Sequence, residues 1–245
     1  MNRIEQLLVE LCPDGVEFRE LGEVTNIARG ASPRPIHSFI TTKANGIPWI
    51  KIGDVGSGEK YITHTSEYIT QEGAKKSRIV KDGDFVLSNS MSFGRPYISK
   101  ITGCIHDGWL SISDFSETFI SDFLYHLLRS QYIQNEWTKR AGSGTVKNLN
   151  ADIVKTTTVP VPPIEIQQEI VKILDKFVEL QAELQAELQA ELQKRKIQYE
   201  YYRNALLTFP EQSRAEQQMM LFFLGCVNYW INIPRKAWNL GCCKK

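Results

Sequence analysis

The chain has no apolar run long enough to cross a bilayer. The longest, residues 219–233, spans about 15 residues and is broken by Asn228 and Asn232, where a spanning helix needs about 20. The start, Met1-Asn2-Arg3-Ile4-Glu5, opens no signal peptide, so a cytoplasmic protein with no membrane partner is expected. Cysteine is sparse and odd in number: Cys12, Cys104, Cys226, Cys242 and Cys243 form no facing Cys-x-x-Cys pairs, which argues against a zinc site or a disulfide framework. The four histidines, His37, His64, His106 and His126, lack metal-ligand spacing and read as surface or satisfied core residues. Neither sign of charge dominates. The formal net charge is +1, and residues 1–160 carry 18 basic and 18 acidic side chains. Binding to a polyanion would therefore need a local patch.

Catalytic signatures are missing as well. No Gly-x-x-x-x-Gly-Lys-Ser/Thr loop marks a nucleotide motor, and no Gly-x-Ser-x-Gly or His-Glu-x-x-His occurs. The Asn/Asp-Pro-Pro-aromatic tetrapeptide that amino-methyltransferases acting on bases need is absent too, because Pro162-Pro163 lies between Val161 and Ile164. A self-contained restriction or methylation enzyme would require such motifs, so the chain is expected to be no enzyme.

What is present is a repeat. Glu179-Leu180-Gln181-Ala182 recurs at 183–186 and 187–190, with a partial fourth unit at 191–193. It lies in a pattern that predicts one helix from Pro163 to about Leu207, entered through prolines whose missing N–H is harmless in a first turn. Each four-residue unit adds about 6 Å at about 1.5 Å per residue, a little under two base pairs of DNA at about 3.4 Å each. Ile166, Ile170, Ile173, Leu174 and Phe177 form an apolar face that Leu180, Leu184, Leu188 and Leu192 continue. The leucine stripe drifts by about 40° per repeat, and the alanines fall on the other side. An arm of roughly 66 Å is longer than a compact domain covers alone, so a coiled-coil arm that needs a second helix is expected.

Before the arm, a helix at 2–11 and a Cys12-Pro13-Asp14-Gly15 turn lead into a mixed, strand-rich region. Expected strands are 23–28, 47–52, 84–89, 97–101, 109–113 and 156–161, with helices at 118–129 and 131–138. Lys81-Asp82-Gly83-Asp84 reads as a hairpin turn rather than an acid–base pair. Trp49, Trp109 and Trp137 read as core. The predicted class is α+β, with a domain at 1–160, an arm at 161–209 and an atypical tail at 210–245.

Candidate DNA contacts lie in polar loops. Arg29-Gly30-Ala31-Ser32-Pro33-Arg34-Pro35 offers two guanidiniums for guanine or phosphate. Lys75, Lys76, Arg78 and Lys81 put four basic residues in seven. Ser88-Asn89-Ser90-Met91-Ser92-Phe93-Gly94-Arg95 offers Asn89, Ser90 and Arg95, with Asn suited to adenine and Arg to guanine. The glycine-rich segment 142–150 offers backbone N–H groups with Ser143, Thr145, Lys147 and Asn148 for phosphate.

Several stretches together resemble the specificity subunit of type I restriction–modification systems. They are Leu8-Val9-Glu10-Leu11-Cys12-Pro13-Asp14-Gly15-Val16-Glu17-Phe18, then Leu21-Gly22-Glu23-Val24, then Gly46-Ile47-Pro48-Trp49-Ile50-Lys51-Ile52-Gly53-Asp54. The 142–150 loop follows, then Val159-Pro160-Val161-Pro162-Pro163-Ile164 with Gln167, Ile170, Val171 and Leu174, and finally residues 199–209. The resemblance covers about residues 1–209. It implies a target-recognition domain and a conserved helical arm, usually two of each, with the arms forming an antiparallel coiled coil. It implies double-stranded DNA as ligand and a subunit without catalysis of its own. Modification subunits would methylate adenine with S-adenosylmethionine, and restriction subunits would use ATP and Mg. This sequence shows one recognition domain and one arm. The expected reading is a half-subunit that pairs with a second copy through Phe177, Leu180, Leu184, Leu188 and Leu192. The alternatives are a truncated, inactive remnant, or a coiled-coil assembly protein without a DNA role.

Overall fold

The computed structural model describes residues 2–56, 58–90, 92–142 and 148–208. The tail at 210–245, and Ser143, Thr145 and Lys147 of the glycine-rich loop, lie outside them. The chain divides into two units, Met1–Val178 and Glu179–Lys245.

The first unit opens with α1 (Arg3–Leu11). Asn2 caps it: its Oδ1 accepts the Glu5 N–H while Glu5 accepts the Asn2 N–H, each at 2.8 Å. Then come β1 (Glu17–Glu20), α2 (Leu21–Val24), β2 (Asn26–Arg29), β3 (Ile40–Thr41), β4 (Ile47–Ile50), β5 (Tyr61–Ile62) and β6 (Glu67–Ile69). After α3 (Gln71–Lys75) follow β7 (Arg78–Val80), β8 (Phe85–Ser88), β9 (Pro96–Ser99), β10 (Gly103–Ile105) and β11 (Trp109–Ser113). The run ends with α4 (Ser121–Arg129), α5 (Gln131–Arg140), α6 (Ala151–Lys155), β12 (Thr158–Val161) and α7 (Ile164–Leu207).

Two five-stranded sheets carry the domain, ordered β2-β11-β8-β9-β5 and β3-β6-β4-β10-β7, while β1 and β12 form a separate antiparallel pair. Successive side chains on a strand point to opposite faces, and here both faces find apolar cover. Val86 and Trp109 face inward with Ile50, Val80 and Ile105 of the second sheet. Their neighbours Phe85, Leu87 and Leu110 face the other way, onto Leu124, Leu128 and Ile133 of α4 and α5 and Val154 of α6. Trp109 ties the two sheets by donating its indole N–H to the Ile50 carbonyl at 3.2 Å. The three tryptophans expected in the core are buried there.

Local corrections have local causes. The strand expected at 23–28 is split: Leu21 and Val24, three apart and both buried, form one helical turn. Thr25 ends it by donating its hydroxyl to the Leu21 carbonyl at 2.7 Å, and the strand starts at Asn26. The turn at 81–84 forms, with Gly83 at φ +92° and Asp84 accepting the Lys81 N–H at 2.7 Å. It is not a hairpin, because β7 and β8 belong to different sheets. The unforeseen helix α6 is capped by Asn150, which accepts the Ile153 N–H at 2.8 Å.

The long helix α7 forms as expected, 44 residues from Ile164. In its first turn the N–H groups of Ile166 and Gln167 donate to the Pro163 carbonyl. Within the first unit Ile166 is buried, and Ile170 and Val171 pack against the core. His126 Nε2 lies 2.9 Å from Asp175 Oδ1. No helix among the described residues is long and apolar enough to cross a membrane.

Candidate nucleic-acid interface

The candidate loops, far apart in sequence, meet at the turn between β10 and β11. Gly30 donates its N–H to the Trp109 carbonyl at 2.8 Å, and Ala31 donates to the Ile105 carbonyl at 3.2 Å. The approach is so close that a Cβ on Gly30 would lie 2.0 Å from the His106 oxygen, so glycine is required there. Asp107, at the tip of that turn, gathers the loops. Its backbone carbonyl accepts Arg29 Nε–H at 3.1 Å and the Asn89 side-chain amide at 3.0 Å. Its carboxylate accepts the Ser32 hydroxyl at 2.7 Å and lies 3.7 Å from the Arg34 guanidinium.

Two further bonds bring in the remaining segments. Ser77, between Lys76 and Arg78, donates its hydroxyl to the Ala31 carbonyl at 2.7 Å. Leu149 donates its N–H to the Asn89 carbonyl at 2.8 Å, which places the described end of the glycine-rich loop beside the 88–95 segment. Arg140, at the end of α5, donates to the Thr156 carbonyl after α6 at 3.1 Å. The described parts of all four segments singled out from sequence thus share one hydrogen-bonded knot.

Within it the candidate residues differ in what they can offer. Arg29, Arg34, Lys75, Lys76, Arg78 and Asn148 are exposed, while Ser90 and Arg95 are half-buried. Lys76 Nζ sits 4.8 Å from the centre of the Phe39 ring, a cation–π contact that orients it. Asn89 is only 4% exposed, and its side-chain amide donates to Asp107. So placed, it braces two loops and offers little edge to a base. Gly94, at φ +68°, fits the left-handed turn before Arg95, and Gln134 donates to its carbonyl at 2.9 Å. Asp107 went unmarked in the sequence because a lone acid in His-Asp-Gly looks like any turn.

The electrostatics follow from the packing. The Ser32 hydroxyl, outweighing partial burial, holds the Asp107 carboxyl below the usual range, with the Asp107 N–H, His106 and Arg34 adding to it. His106 lies between Trp49 and Trp109, with ring centres at 6.2 and 6.0 Å, and burial pushes its pKa down. Its Nδ1 accepts the Gly108 N–H at 2.8 Å, which requires an unprotonated nitrogen there. The 3.8 Å approach of His106 to Asp107 is therefore no ion pair at neutral pH.

The second unit presents a different surface. Leu180, Leu184, Leu188 and Leu192 are 46, 57, 62 and 49% exposed, and Ile197, Tyr199, Tyr201 and Leu207 are exposed beyond them. Phe177, in the first unit, is exposed too.

The class is an α+β domain with a long C-terminal helix. The chain belongs to the family described as the type I restriction modification DNA specificity domain, whose family model matches residues 13–194. It is similar to the EcoR124I/EcoR124II specificity subunit of Escherichia coli, 28% identical over 203 residues, covering 80% of this chain and 49% of that protein. It is also similar to the EcoprrI specificity subunit of Escherichia coli, 30% identical over 217 residues, covering 83% and 53%. The crystal structure of the HsdS subunit from Thermoanaerobacter tengcongensis shares the fold, with a TM-score of 0.57 at 22% identity over 74% of this chain and 44% of that one. The chain spans about half the length of the curated relatives it matches.

Proposed function

We propose that this chain is a DNA sequence-recognition subunit that reads one half of a split target through the loops gathered at Asp107. One observation carries the reading: Arg29, Arg34, the Lys75–Arg78 stretch and Asn148 belong to segments that hydrogen bonds draw into one knot. A basic, polar, multi-loop surface suits a duplex, whose phosphates position the protein while base edges specify the sequence. The domain at 1–160 reads the DNA, and the arm at 161–209 pairs with the arm of a second specificity half-subunit. Each of these half-exposed leucines, buried on pairing, contributes about 1 kcal/mol, which favours association over an exposed stripe. The recognition chain carries no chemistry of its own. It docks an adenine-methylating modification subunit in the cytoplasm, and restriction subunits join that complex. S-adenosylmethionine, ATP and Mg belong to those partners.

The test is light scattering after size exclusion, on the chain alone and mixed with a modification subunit, followed by mapping of methylated sites. A dimer that captures two modification subunits and marks a symmetric split site supports the reading. A monomer that captures none and binds all DNA equally overturns it.

A further inference from the structure

We propose that Asp107 is a positioning residue that fixes Arg34 as the guanine-reading side chain of this domain; this rests on the DNA-recognition reading above. An acid at the centre of a surface meant for phosphates works against binding unless it serves a cation. Here it faces one. Asp107 Oδ2 lies 3.7 Å from Arg34 Nη2, while Oδ1 is taken up by the Ser32 hydroxyl at 2.7 Å. The carboxylate cannot wander, because the backbone oxygen of the same residue is held by Arg29 and Asn89 at 3.1 and 3.0 Å. The turn beneath is packed as well, with Gly30 against the His106 carbonyl and the His106 ring between two tryptophans.

Arg34 thus has one end of its guanidinium 3.7 Å from this fixed carboxylate, a charge contact longer than a hydrogen bond, while its side chain stays 84% exposed. A guanidinium carries five N–H donors in one plane, so one edge can rest on a carboxylate while another meets an acceptor pair. Guanine O6 and N7 in the major groove are such a pair. A phosphate is disfavoured at the same spot, because Asp107 cancels the charge that would draw it in and repels it directly. The acid thus turns Arg34 from a general phosphate contact into a base-selective one. Lys75 and Arg78, which have no acid facing them among the ion pairs of the described residues, keep the phosphate role.

The experiment is selection of bound duplexes from a randomised DNA library by the full chain, as wild type, R34K, D107N and D107A. The D107N variant keeps an oxygen for the Ser32 hydroxyl and the same backbone carbonyl, so the knot survives while the charge goes. Wild type is expected to select a site containing a G–C pair whose preference drops about tenfold or more in R34K, the worth of a bidentate contact. D107N is expected to lose preference at that same pair only, with total binding at low salt equal or higher. If D107N selects as wild type does, or D107A lowers every position together, Asp107 is merely structural and the inference falls. If R34K leaves every G–C preference intact, it falls as well, with DNA recognition standing. If wild type selects no sequence at all, the reading of the domain falls and the inference with it.

Discussion

The side-chain carbonyl of Gln167 accepts the backbone N–H of Ile120 at 2.9 Å. The same amide donates to the Thr118 and Pro162 carbonyls at 2.9 and 2.8 Å, and the residue is fully buried. One glutamine thus answers three backbone groups at the root of α7. In Q167L all three would lose that partner, the Pro162 carbonyl in a buried place and the other two in partly buried ones, at about 1 kcal/mol or more each. The variant is expected to lose about 3 kcal/mol, read as a lower urea midpoint in tryptophan emission. An unchanged midpoint would show that water or a shifted helix satisfies those groups instead.

The arm was legible because its physics is local. Repeated apolar spacing and a proline entry fixed Pro163 to about Leu207, against Ile164–Leu207 in the structure. The strand at Trp109–Ser113 was legible for the same reason, a bounded β-rich run. The short strands were not: Tyr61–Ile62 pairs only through a parallel ladder to β9 and has no pattern of its own. The candidate loops were visible as polar, basic stretches, but their meeting point was not. That depends on the pairing of β2 with β11, which sets Arg29 opposite Leu110 and so beside the turn that holds Asp107. Register between distant strands is a tertiary fact, and Gln167 likewise drew notice as part of a motif while its three partners stayed hidden.

The Asp107 turn should also respond to pH through His106. Burial lowers the pKa of this ring in the folded state, so the unfolded chain binds more protons between the folded and ordinary values. Stability is fully present above the ordinary value of about 6.5 and is lost as pH falls through the folded one. In H106N the amide oxygen can still accept the Gly108 N–H but does not titrate. Unfolding measured from pH 7 to pH 5 is expected to show a shallower loss in H106N than in wild type. Equal slopes would mean that His106 is free to protonate in the folded domain.

Lys75 and Arg78 make the complementary case to Arg34. Both are exposed, and they flank the segment whose Ser77 is tied to the arginine loop. If they act on phosphates as proposed, they supply affinity without sequence information. K75A and R78A are each expected to weaken binding to all duplexes alike and to reduce the salt slope by about one. The selected sequence should stay the same. A change in base preference would move these residues from the phosphates to the groove.

The repeat makes the sharpest geometric claim about the arm. If two arms pair and each recognition domain keeps its half-site, deleting residues 183–186 shortens each arm by about 6 Å. That is a little under two base pairs, or about 70° of rotation between half-sites at roughly 10.5 pairs per turn. Leu180 would then be followed at four residues by what is now Leu188, so the stripe continues and pairing should survive. The deletion variant is expected to dimerise as wild type does and, mixed with a modification subunit, to direct methylation to a site whose two halves are unchanged, with a spacer about two pairs shorter. The same spacer in both proteins would mean that the arm does not set the distance. Loss of methylation with an intact dimer would mean that the pair cannot rephase its two domains on the DNA, which would also defeat the ruler.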